Sequence, residues 1–505
     1  MNVEHTPVLI VGGSIVGASA ALFLAARGIT PVLVEKHPVV STRLRAKLFY
    51  PRTMEAYRAV GADRDVYALQ RSLPPADQAA VVDSLAGREL RRWRLPAAED
   101  FGEVSPCPSA LVKQADLEEI VRKHARAAGA DLRFGHRFLD LTQSGDRVVA
   151  RVLDANGEPY TVEGDYLLAA DGNGSTIREG LRIGRAGEEV LSHVREIDFE
   201  ADLRPVLDGR RLAMAWAGEV FISWHTARTR GAVSFPCDPG TTMNAEESRE
   251  LVCQALGLPA TGVAITGSRA WRMSGWVADS YRADRVFLLG DAAHVTPPVG
   301  GFGANLGIQD AWNLTAKLVS VLRGDAHPRL LDSYEPERRA VGELTVDQAV
   351  LRVRDRAGAR PRLSEAAVAI GYRYPAGNHD SGHPVADEPS RWHGEPGTRL
   401  PHLGLLGIST LDLVRDGRYL LLTGPGGNAW TRAAREVDPA GAFLDVAVLP
   451  GRTDHYGIGE HGALLVRPDH VIAWRATHPT PHALADAVAR ATARTVPADA
   501  PGGVG

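Results

Sequence analysis

The first 35 residues form the unit that most constrains the fold. An apolar run leads into the turn 12–17 (GGSIVG), a helix of small residues follows, and a second apolar run ends in Glu35. Gly12 permits a tight turn, Gly17 permits close approach of helix and strand, and Glu35 is placed to bond a ribose. Ser14 stands where the G-x-G-x-x-G pattern has its middle glycine, which weakens the match without removing it. The pattern predicts a Rossmann-like βαβ unit in an α/β fold.

Two later apolar runs also end in a Gly/Asp pair. The run 166–170 precedes Asp171, with Arg178 at helix-start spacing, and another run precedes Asp291 and the glycine-rich turn 300–305 (GGFGAN). A carboxylate at the end of a strand can accept a hydrogen bond from a sugar hydroxyl, and the free amides at a helix N-terminus attract negative charge. Taken alone, Asp171 could be a simple helix cap. Three such segments predict one discontinuous nucleotide-binding domain.

Composition excludes several other classes of protein. The 505 residues are 44% apolar, and the net charge of −4 comes without basic clustering, which argues against nucleic acid as a partner. No apolar run is long enough to span a membrane and no signal peptide is evident, so a cytoplasmic location is predicted. Cys107, Cys237 and Cys253 lie far apart and are expected to be buried thiols. No metal site is predicted, because the Pro/Gly-rich stretch around His379 and His383 disfavours a helix.

The spacing of the motifs also predicts the domain organisation. Segments 218–224 and 231–236 have the character of strands and lie between the second and third motifs. Segments 419–423 and 464–466 are predicted strands, with a helix at 429–437 between them. The predicted division is a nucleotide-binding domain (1–75, 110–182 and 278–372), a β-sheet substrate domain (76–109 and 183–277), a linker (373–398) and a C-terminal domain (399–497).

The three motifs together carry a family resemblance. The segments 12–17, 171–178 (DGNGSTIR) and 290–305 (GDAAHVTPPVGGFGAN) resemble the class A FAD-dependent aromatic hydroxylases, in the polyketide branch of the aklavinone 11-hydroxylase type. The similarity runs nearly end to end and includes 52–55 (RTME) and 197–203. It implies a p-hydroxybenzoate hydroxylase-type FAD domain, an inserted β-sheet substrate domain and a C-terminal thioredoxin-like domain. That last domain has no cysteine, so thiol redox chemistry is excluded there.

The resemblance implies FAD as the cofactor and a set of contact residues. Asp291 would bind the ribityl chain, and Pro298 would line the reactive face of the flavin. The turn 300–305 would present amides to the flavin ring, where negative charge gathers on reduction. Arg45 could instead be a solvated loop cation, and Gln114 a helix cap. The predicted FAD contacts are Gly12, Ser14, Gly17, Glu35, Lys36, Arg45, Gln114, Asp171, Arg178, Asp291, Pro298, Gly301, Gly303, Ala304 and Asn305.

The resemblance further implies the reaction. NADPH would reduce FAD, and the reduced flavin would take O2 to form a C4a-hydroperoxide that hydroxylates a polycyclic aromatic phenol. Because the sequence has no second G-x-G-x-x-G, NADPH is expected to bind only transiently. Baeyer–Villiger oxygen insertion, inactivation of a phenolic antibiotic and a non-enzymatic flavin-binding role are the alternatives. The protein would be a monomer or homodimer.

The group that activates the phenol is left open by the sequence. His225, beside Trp224 in the predicted substrate sheet, is the candidate catalytic residue together with Pro298, and His193, Arg228 and Tyr281 are further candidates. Backbone carbonyls or the acidity of the substrate itself could serve equally well. Since all three motifs precede the linker, removal of the chain after about residue 400 is expected to leave the FAD spectrum intact while harming solubility or dimerisation.

Overall fold

The computed structural model describes residues 3–41, 43, 45–95, 100–355, 358–375, 385–405, 407–480 and 482–494. His379, His383 and the tail after Pro497, on which sequence predictions bear, lie outside these ranges. The helices of the described residues are α1 (Ile15–Ala25), α2 (Pro51–Ala59), α3 (Asp63–Ser72), α4 (Gln114–Ala127), α5 (Thr176–Gly180), α6 (Arg204–Leu207), α7 (Ala245–Leu256), α8 (Phe302–Leu322), α9 (Tyr334–Arg354), α10 (Glu365–Ala369), α11 (Asn428–Val437) and α12 (Ala483–Ala491).

The strands of the described residues build the three main sheets and two short pairs. They are β1 (Val3–Val11), β2 (Val32–Glu35), β3 (Leu48–Phe49), β4 (Gln78–Val82), β5 (Glu89–Arg94), β6 (Ala110–Leu111), β7 (Asp131–Phe134), β8 (Arg137–Ser144), β9 (Arg147–Leu153), β10 (Pro159–Ala169), β11 (Arg185–Glu200), β12 (Leu212–Ala217), β13 (Val220–Trp224), β14 (Arg230–Pro236), β15 (Ala264–Ala278), β16 (Arg282–Ala283), β17 (Val286–Leu288), β18 (His294–Val295), β19 (Gly404–Leu405), β20 (Ile408–Ser409), β21 (Tyr419–Thr423), β22 (Leu444–Val448), β23 (Ala463–Val466) and β24 (Ile472–Ala476).

The first sheet contains the strands of all three sequence motifs. Its order is β16-β17-β10-β1-β2-β7, with β9 and β8 added beyond β10, and β17, β10, β1, β2 and β7 run parallel. Residues 8–10 of β1 are completely buried, as expected for a parallel strand that is covered on both faces. The predicted α/β fold is therefore present, and its motif segments come from distant parts of the chain.

The second sheet unites the two predicted halves of the substrate domain. Its order is β18-β15-β11-β14-β13-β12-β4-β5, so strands from 76–109 pair directly with strands from 183–277. One face packs on α7 through a core that includes Ile197, Phe199, Ile222 and Val233. The opposite face is turned toward β3 and β6 of the first domain, because Leu48 and Leu111 join its small apolar cluster.

The C-terminal part forms a four-stranded sheet of order β22-β21-β23-β24. Strands β21 and β22 are parallel and are joined through α11, while β23 and β24 form an antiparallel hairpin followed by α12. This arrangement agrees with the thioredoxin-like topology implied by the resemblance. The segment predicted as a linker packs closely where it is described, since Tyr374, Ala386 and Trp392 are buried.

The C-terminal domain is bonded to the helices behind the FAD motifs. Arg467 forms a bidentate ion pair with Glu337 of α9, at 2.6 and 2.9 Å, and Lys317 of α8 reaches the same carboxylate at 2.7 Å. The Trp312 indole N–H donates to the Asp469 carbonyl at 3.2 Å. On the other side, Arg58 of α2 makes a bidentate contact with Asp412. The domain is thus part of the same packed body.

Two other predictions concern thiols and membranes. Cys107 is buried as expected, but Cys237 and Cys253 are partly exposed, so the prediction of three buried thiols was wrong for these two. None of the described helices combines the length and apolar character needed to cross a bilayer. In the same ranges, no group of three or more His, Cys, Asp or Glu side chains could hold a metal ion.

Candidate active site

Strand register brings the three motifs to one edge of the first sheet. Val11 is opposite Ala169, and Ala169 is opposite Leu288, so the strands of the three motifs end at the same level. Backbone bonds continue past the last paired residues, with the Ala170 N–H donating to the Val11 carbonyl at 2.8 Å and the Leu289 N–H to the Ala169 carbonyl at 3.0 Å. Ligands of open α/β sheets bind at this carboxyl edge.

Glycines allow the motif segments to touch. Gly12 has φ of +104°, and a Cβ there would collide with the Ala170 carbonyl, so the first motif lies directly against the second. A Cβ on Gly17 would collide with the Gly12 carbonyl oxygen, which explains how α1 packs so close to the strand end. Gly290 and Gly307 make the same kind of close approach around Val16 of α1. The roles inferred for Gly12 and Gly17 agree with this packing.

Helix α4 presents a polar row to the first glycine turn. The Gln114 amide donates to Ser14 Oγ at 3.2 Å and to Glu118 Oε1 at 2.8 Å, and the same Glu118 oxygen accepts from Ser14 Oγ and the Ile15 N–H. Arg122 donates to the Gly13 carbonyl at 2.6 Å. Sequence reasoning found Gln114 but missed Glu118 and Arg122. Their spacing of four residues, which places all three on one helix face, was the available signal.

Arg45 and Glu35 flank the same turn. Arg45 is exposed and donates to Ser14 Oγ at 3.3 Å, and its charge also acts on Asp291. Both Glu35 oxygens accept backbone N–H groups, from Gly13 at 2.7 Å and from His37 at 2.8 Å. Glu35 therefore braces the turn, and its remaining lone pairs are what a ribose hydroxyl could reach. Lys36 is exposed beside it, and no ion pair of this residue occurs among the described residues.

The second motif contains a carboxylate oxygen without a partner. Asp171 Oδ2 accepts from the Ile177 N–H at 3.3 Å, whereas Oδ1 is buried and unpaired within the described ranges. Burial raises the pKa of this carboxyl group. The helix cap is Ser175, whose hydroxyl accepts from the Arg178 N–H at 3.0 Å. The simple reading of Asp171 as the cap residue of α5 is therefore wrong.

Arg178 connects the second motif to the third. Its guanidinium donates to the carbonyls of Asn173 and Ala292, each at 3.1 Å, and stacks over Trp276 at 4.8 Å. The residue is only 2% exposed. Its described contacts thus hold the two motif segments together, and the predicted contact with FAD stays a prediction.

The third motif rests on a buried charge network. Asp310 of α8, which is fully buried, accepts from the Gly290 N–H at 3.0 Å, from His294 Nε2 at 2.6 Å and from Arg338 Nε at 2.7 Å. Burial raises the pKa of Asp310, but His294 and Arg338 outweigh it and the net pKa is lowered. Sequence reasoning missed Asp310 and Arg338, because a helix pattern gives no sign of what a buried charge faces.

Asp291 itself points out of this network. Its side chain is exposed at the carboxyl edge, yet the surrounding elements desolvate the carboxylate and raise its pKa, with His294 and Arg45 acting in the opposite direction. An accessible carboxylate in a recess of this kind is ready to accept a hydrogen bond from a hydroxyl-bearing ligand.

The glycine turn is held by the Asn305 side chain. Asn305 Oδ1 accepts from the Tyr50 N–H and from Thr53 Oγ1, both at 2.8 Å, and its amide group donates to the Leu48 and Gly301 carbonyls. The side chain is therefore committed to the protein. Helix α8 begins at Phe302, within the predicted glycine turn, with Gly301 as its cap at φ of +66°. The amides of its first turn include those of Gly303 and Ala304, which are partly exposed, and Pro298 is exposed just ahead of it.

The second sheet turns an aromatic face toward this turn. We define the aromatic face as Trp93, Met214, Trp216 and Phe221. Trp216 lies between Trp93 and Phe221, with ring centroids 5.7 and 5.0 Å away. Leu48 belongs to the same apolar cluster as Trp93, Met214 and Trp216 and also lies beside Gly301. Leu48 therefore connects the apolar cluster of the aromatic face with the glycine turn.

His225 lies in the hairpin between β13 and β14, at the end of this face. Its N–H donates to the Arg230 carbonyl at 2.8 Å. Burial, aided by Lys113, Lys47 and Arg230, lowers the pKa of His225 to about 4. A neutral imidazole with so low a pKa is a poor proton acceptor for a phenol, whose pKa is about 10 in tyrosine. This argues against His225 as the general base.

The other candidate bases lie elsewhere or have structural partners. Tyr281 is fully buried in the core of the first domain, against Tyr334 and His294. Arg228 donates to the Leu207 carbonyl at 2.9 Å within the hairpin region. His193 is on β11, where its carbonyl accepts from the Cys237 N–H. The structure does not bring Tyr281 to the aromatic face.

The residues at the carboxyl edge fit FAD. Asp171 offers an unpaired buried oxygen, Asp291 offers an accessible carboxylate, and the Val16 and Gly17 amides belong to the first turn of α1, where no helical acceptor exists. Gly12 and Gly17 let the turn of the first motif and α1 lie directly against the end of β10. These groups come from all three motifs, as an extended dinucleotide requires.

Comparison with known proteins gives the same answer. The family described as FAD binding domain matches residues 5–349, and the family described as aromatic-ring hydroxylase, C-terminal, matches residues 393–495. The chain belongs to the FAD-dependent aromatic-ring monooxygenases.

Its relatives place it beside the polyketide hydroxylases. It is 38% identical to tetracenomycin A2 monooxygenase-dioxygenase of Streptomyces glaucescens, over 100% of this chain and 99% of the relative. It is 37% identical to 4-methyl-5-nitrocatechol 5-monooxygenase of Burkholderia sp, over 93% and 94% of the two chains. A structure of aklavinone-11 hydroxylase with FAD and aklavinone superposes with a TM-score of 0.89 at 30% identity, covering 98% and 100% of the chains. The predicted family and fold are confirmed.

Proposed function

We propose that this protein uses NADPH and O2 to hydroxylate a polycyclic aromatic phenol on bound FAD. When bound, FAD supplies the redox chemistry: it accepts a hydride from NADPH and activates O2 for transfer of one oxygen atom. The balanced reaction consumes the aromatic substrate, NADPH, one proton and O2, and it yields the hydroxylated product, NADP⁺ and water. The adjacency of the aromatic face to the 300–305 turn, through Leu48, is the observation that carries this proposal.

The extent of the aromatic face supports a substrate of more than one ring. Phe221 and Ser223 are two residues apart and lie on the same face of β13, and His225 follows two residues later. At about 3.3 Å per residue this row is about 13 Å long, which exceeds a single benzene ring. Stacked Trp93 and Trp216 offer flat apolar surface to fused rings. Relatives named for tetracenomycin A2 and aklavinone add support.

The residues of this chain would hold, orient and shield the reactants. Asp171, Asp291 and the first-turn amides of α1 and α8 would hold FAD. The aromatic face would orient the substrate ring and exclude water, which protects a reactive oxygen species from loss. NADPH would bind transiently, since the sequence has no second glycine motif for it.

The test is a substrate panel with two readouts. The purified holoenzyme is offered hydroxylated naphthoquinones, anthraquinones and tetracyclic phenols, along with single-ring nitrocatechols suggested by the Burkholderia relative. We expect substrate-stimulated oxidation of NADPH and a product heavier by one oxygen atom. NMR of the product separates ring hydroxylation from Baeyer–Villiger insertion. NADPH oxidation without any oxygenated product across the panel would contradict the proposal.

A further inference from the structure

Three basic side chains from three separate elements meet at the end of the aromatic face. Lys47 lies two residues after Arg45, Lys113 is the residue that precedes the first turn of α4, and His225 lies in the β13–β14 hairpin. The Lys47 ammonium donates to the Trp224 carbonyl at 2.9 Å, next to His225 in the chain. The Gln114 N–H donates to the Ala46 carbonyl at 2.8 Å, which brings Lys113 beside Lys47. We call Lys47, Lys113 and His225 the basic cluster.

The lysines of the basic cluster are not paired with an acid among the described residues, although the charge of Asp116 acts on Lys113. Neither lysine forms an ion pair within the ranges that the structure describes, and both are partly buried. Burial, followed by the charge of Lys113, lowers the pKa of Lys47 to about 8, and burial lowers the pKa of Lys113 against the opposing effect of Asp116. Partly buried like charges of this kind cost free energy unless an anion joins them.

The cluster continues directly from the aromatic face. Phe221 pairs with Trp216 across β12 and β13, Ser223 pairs with Met214, and His225 follows next in the row. Lys47 precedes Leu48, which packs with the aromatic face. A flat ligand lying on Trp216 and Met214 would therefore extend one edge toward the Lys47 ammonium.

We propose that the basic cluster is an oxyanion subsite in which Lys47 binds an ionised oxygen, phenolate or carboxylate, of the aromatic substrate. The inference rests on the proposed function, because the ligand is taken to be that substrate. Lys47 donates one hydrogen bond to Trp224 and retains two N–H groups for the anion. A phenol bound there releases its proton to solvent, so His225 is not needed as the base.

The principal experiment compares two ligands of equal shape and different charge. Anthraquinone-2-carboxylate and anthraquinone-2-carboxamide are titrated into the holoenzyme, with quenching of tryptophan fluorescence as the readout and no NADPH present. A charge-assisted hydrogen bond predicts that the wild type favours the carboxylate by about tenfold or more. Lys47→Met should abolish this preference while leaving carboxamide binding unchanged, and Lys47→Arg should restore it. Lys123→Met, on the exposed part of α4, is the matched control.

A second ligand distinguishes the two kinds of oxyanion. Alizarin changes its absorption spectrum when its phenol ionises, so difference spectra report the protonation state of the bound ligand. Stabilised alizarin phenolate in the wild type, lost in Lys47→Met, identifies a phenolate subsite. Carboxylate preference without that spectral change identifies a carboxylate subsite.

The pH dependence of carboxylate binding is a further test, because the direction of the change in affinity can be predicted. Lys47 is charged below its pKa of about 8, so affinity should fall as the pH rises through 8 in the wild type and stay flat in Lys47→Met. His225 is already neutral there, and Lys113, Asp116 and Arg230 are the other charged groups facing the cluster.

Equal binding of the two anthraquinones by the wild type, or an undiminished preference in Lys47→Met with normal flavin content, would overturn the inference. If Lys47→Met does not fold, Lys113→Met takes its place and should reduce the preference in the same direction. Because these titrations involve no turnover, charge discrimination without hydroxylation would refute only the proposed function, and hydroxylation without discrimination would refute only the oxyanion subsite.

Discussion

At the residue scale, some side chains of the site remain accessible to a ligand, whereas others are hydrogen-bonded within the protein and stabilise the site. Asn305 and Glu35 were both predicted as FAD contacts. The amide oxygen and nitrogen of Asn305 are both hydrogen-bonded within the protein, to backbone groups and to Thr53. Glu35 accepts from the backbone of the first glycine turn and stabilises it. Asp291 does the reverse and remains accessible. Predicted contact residues of the same site thus serve opposite purposes.

Asp291→Ala should lose FAD during purification. The accessible carboxylate is the expected acceptor for ligand hydroxyl groups, and a charge-assisted hydrogen bond contributes about 1.5–3 kcal/mol, or about tenfold to a hundredfold in affinity. The measurement is the ratio of flavin to protein absorbance after gel filtration. Asp291→Asn, which keeps the shape and one acceptor oxygen, should retain more flavin. Full occupancy in the alanine variant would remove Asp291 from the site.

At the element scale, the site depends on how closely α1, β10 and α8 approach one another. Each approach uses a glycine: Gly12 against Ala170, Gly17 against the Gly12 carbonyl, and Gly290 with Gly307 around Val16. Elements at ordinary distances would place the N-terminal turns of α1 and α8 farther from the strand ends. Glycine is therefore required here for space, and at Gly12 also for its positive φ.

Gly17→Ala should destabilise the protein although alanine favours helices. The helical gain is about 1 kcal/mol, but the new methyl group would meet the rigid Gly12 carbonyl, and overpacking of this kind costs about 1–3 kcal/mol or more. We expect a lower urea midpoint and reduced flavin content. Gly180→Ala in α5, where a Cβ meets open space, is the control and should be neutral or slightly stabilising. Unchanged stability in Gly17→Ala would refute the packing argument.

At the scale of the whole molecule, the C-terminal domain is bonded to the helices that carry the FAD motifs. Helix α8 begins at the 300–305 turn and contributes Trp312, Asn313 and Lys317 to contacts with Asp469 or with Glu337 and its partner Arg467. Removing the chain after residue 400 would deprive Trp312 and Asn313 of Asp469, and Glu337 of Arg467. The expectation of an intact FAD spectrum after truncation therefore has little structural support, and we expect such a truncated protein to lose stability and flavin together.

Arg467→Met tests this connection without removing a domain. Breaking one side of a buried ion pair costs about 3–5 kcal/mol, since Glu337 would lose its bidentate partner. Arg432→Met, exposed on α11 in the same domain, should be neutral. Urea unfolding at neutral pH measures both variants. If Arg467→Met lowers the free energy of unfolding by less than about 0.5 kcal/mol, as an ordinary surface substitution does, the network does not stabilise the fold.

The same network predicts how this difference changes with pH. Burial raises the pKa of Glu337, but Arg467 and Lys317 outweigh it and lower the pKa to about 2, from 4.5 in the unfolded chain. The stabilisation is therefore present above pH 4.5 and is lost as the pH falls toward 2. The stability difference between wild type and Arg467→Met should shrink over that interval.

The sequence by itself determined the family, the α/β class, the strands of the three motifs and most of the residues around the first glycine turn. These follow from local patterns, because apolar runs, glycines and strand-end acids have meanings that neighbouring residues supply. Only the tertiary structure decided which residues distant in sequence contact one another. Asp310 and Lys47 carry no local signal, since their importance depends on partners 16 and 177 residues away that only folding brings into contact.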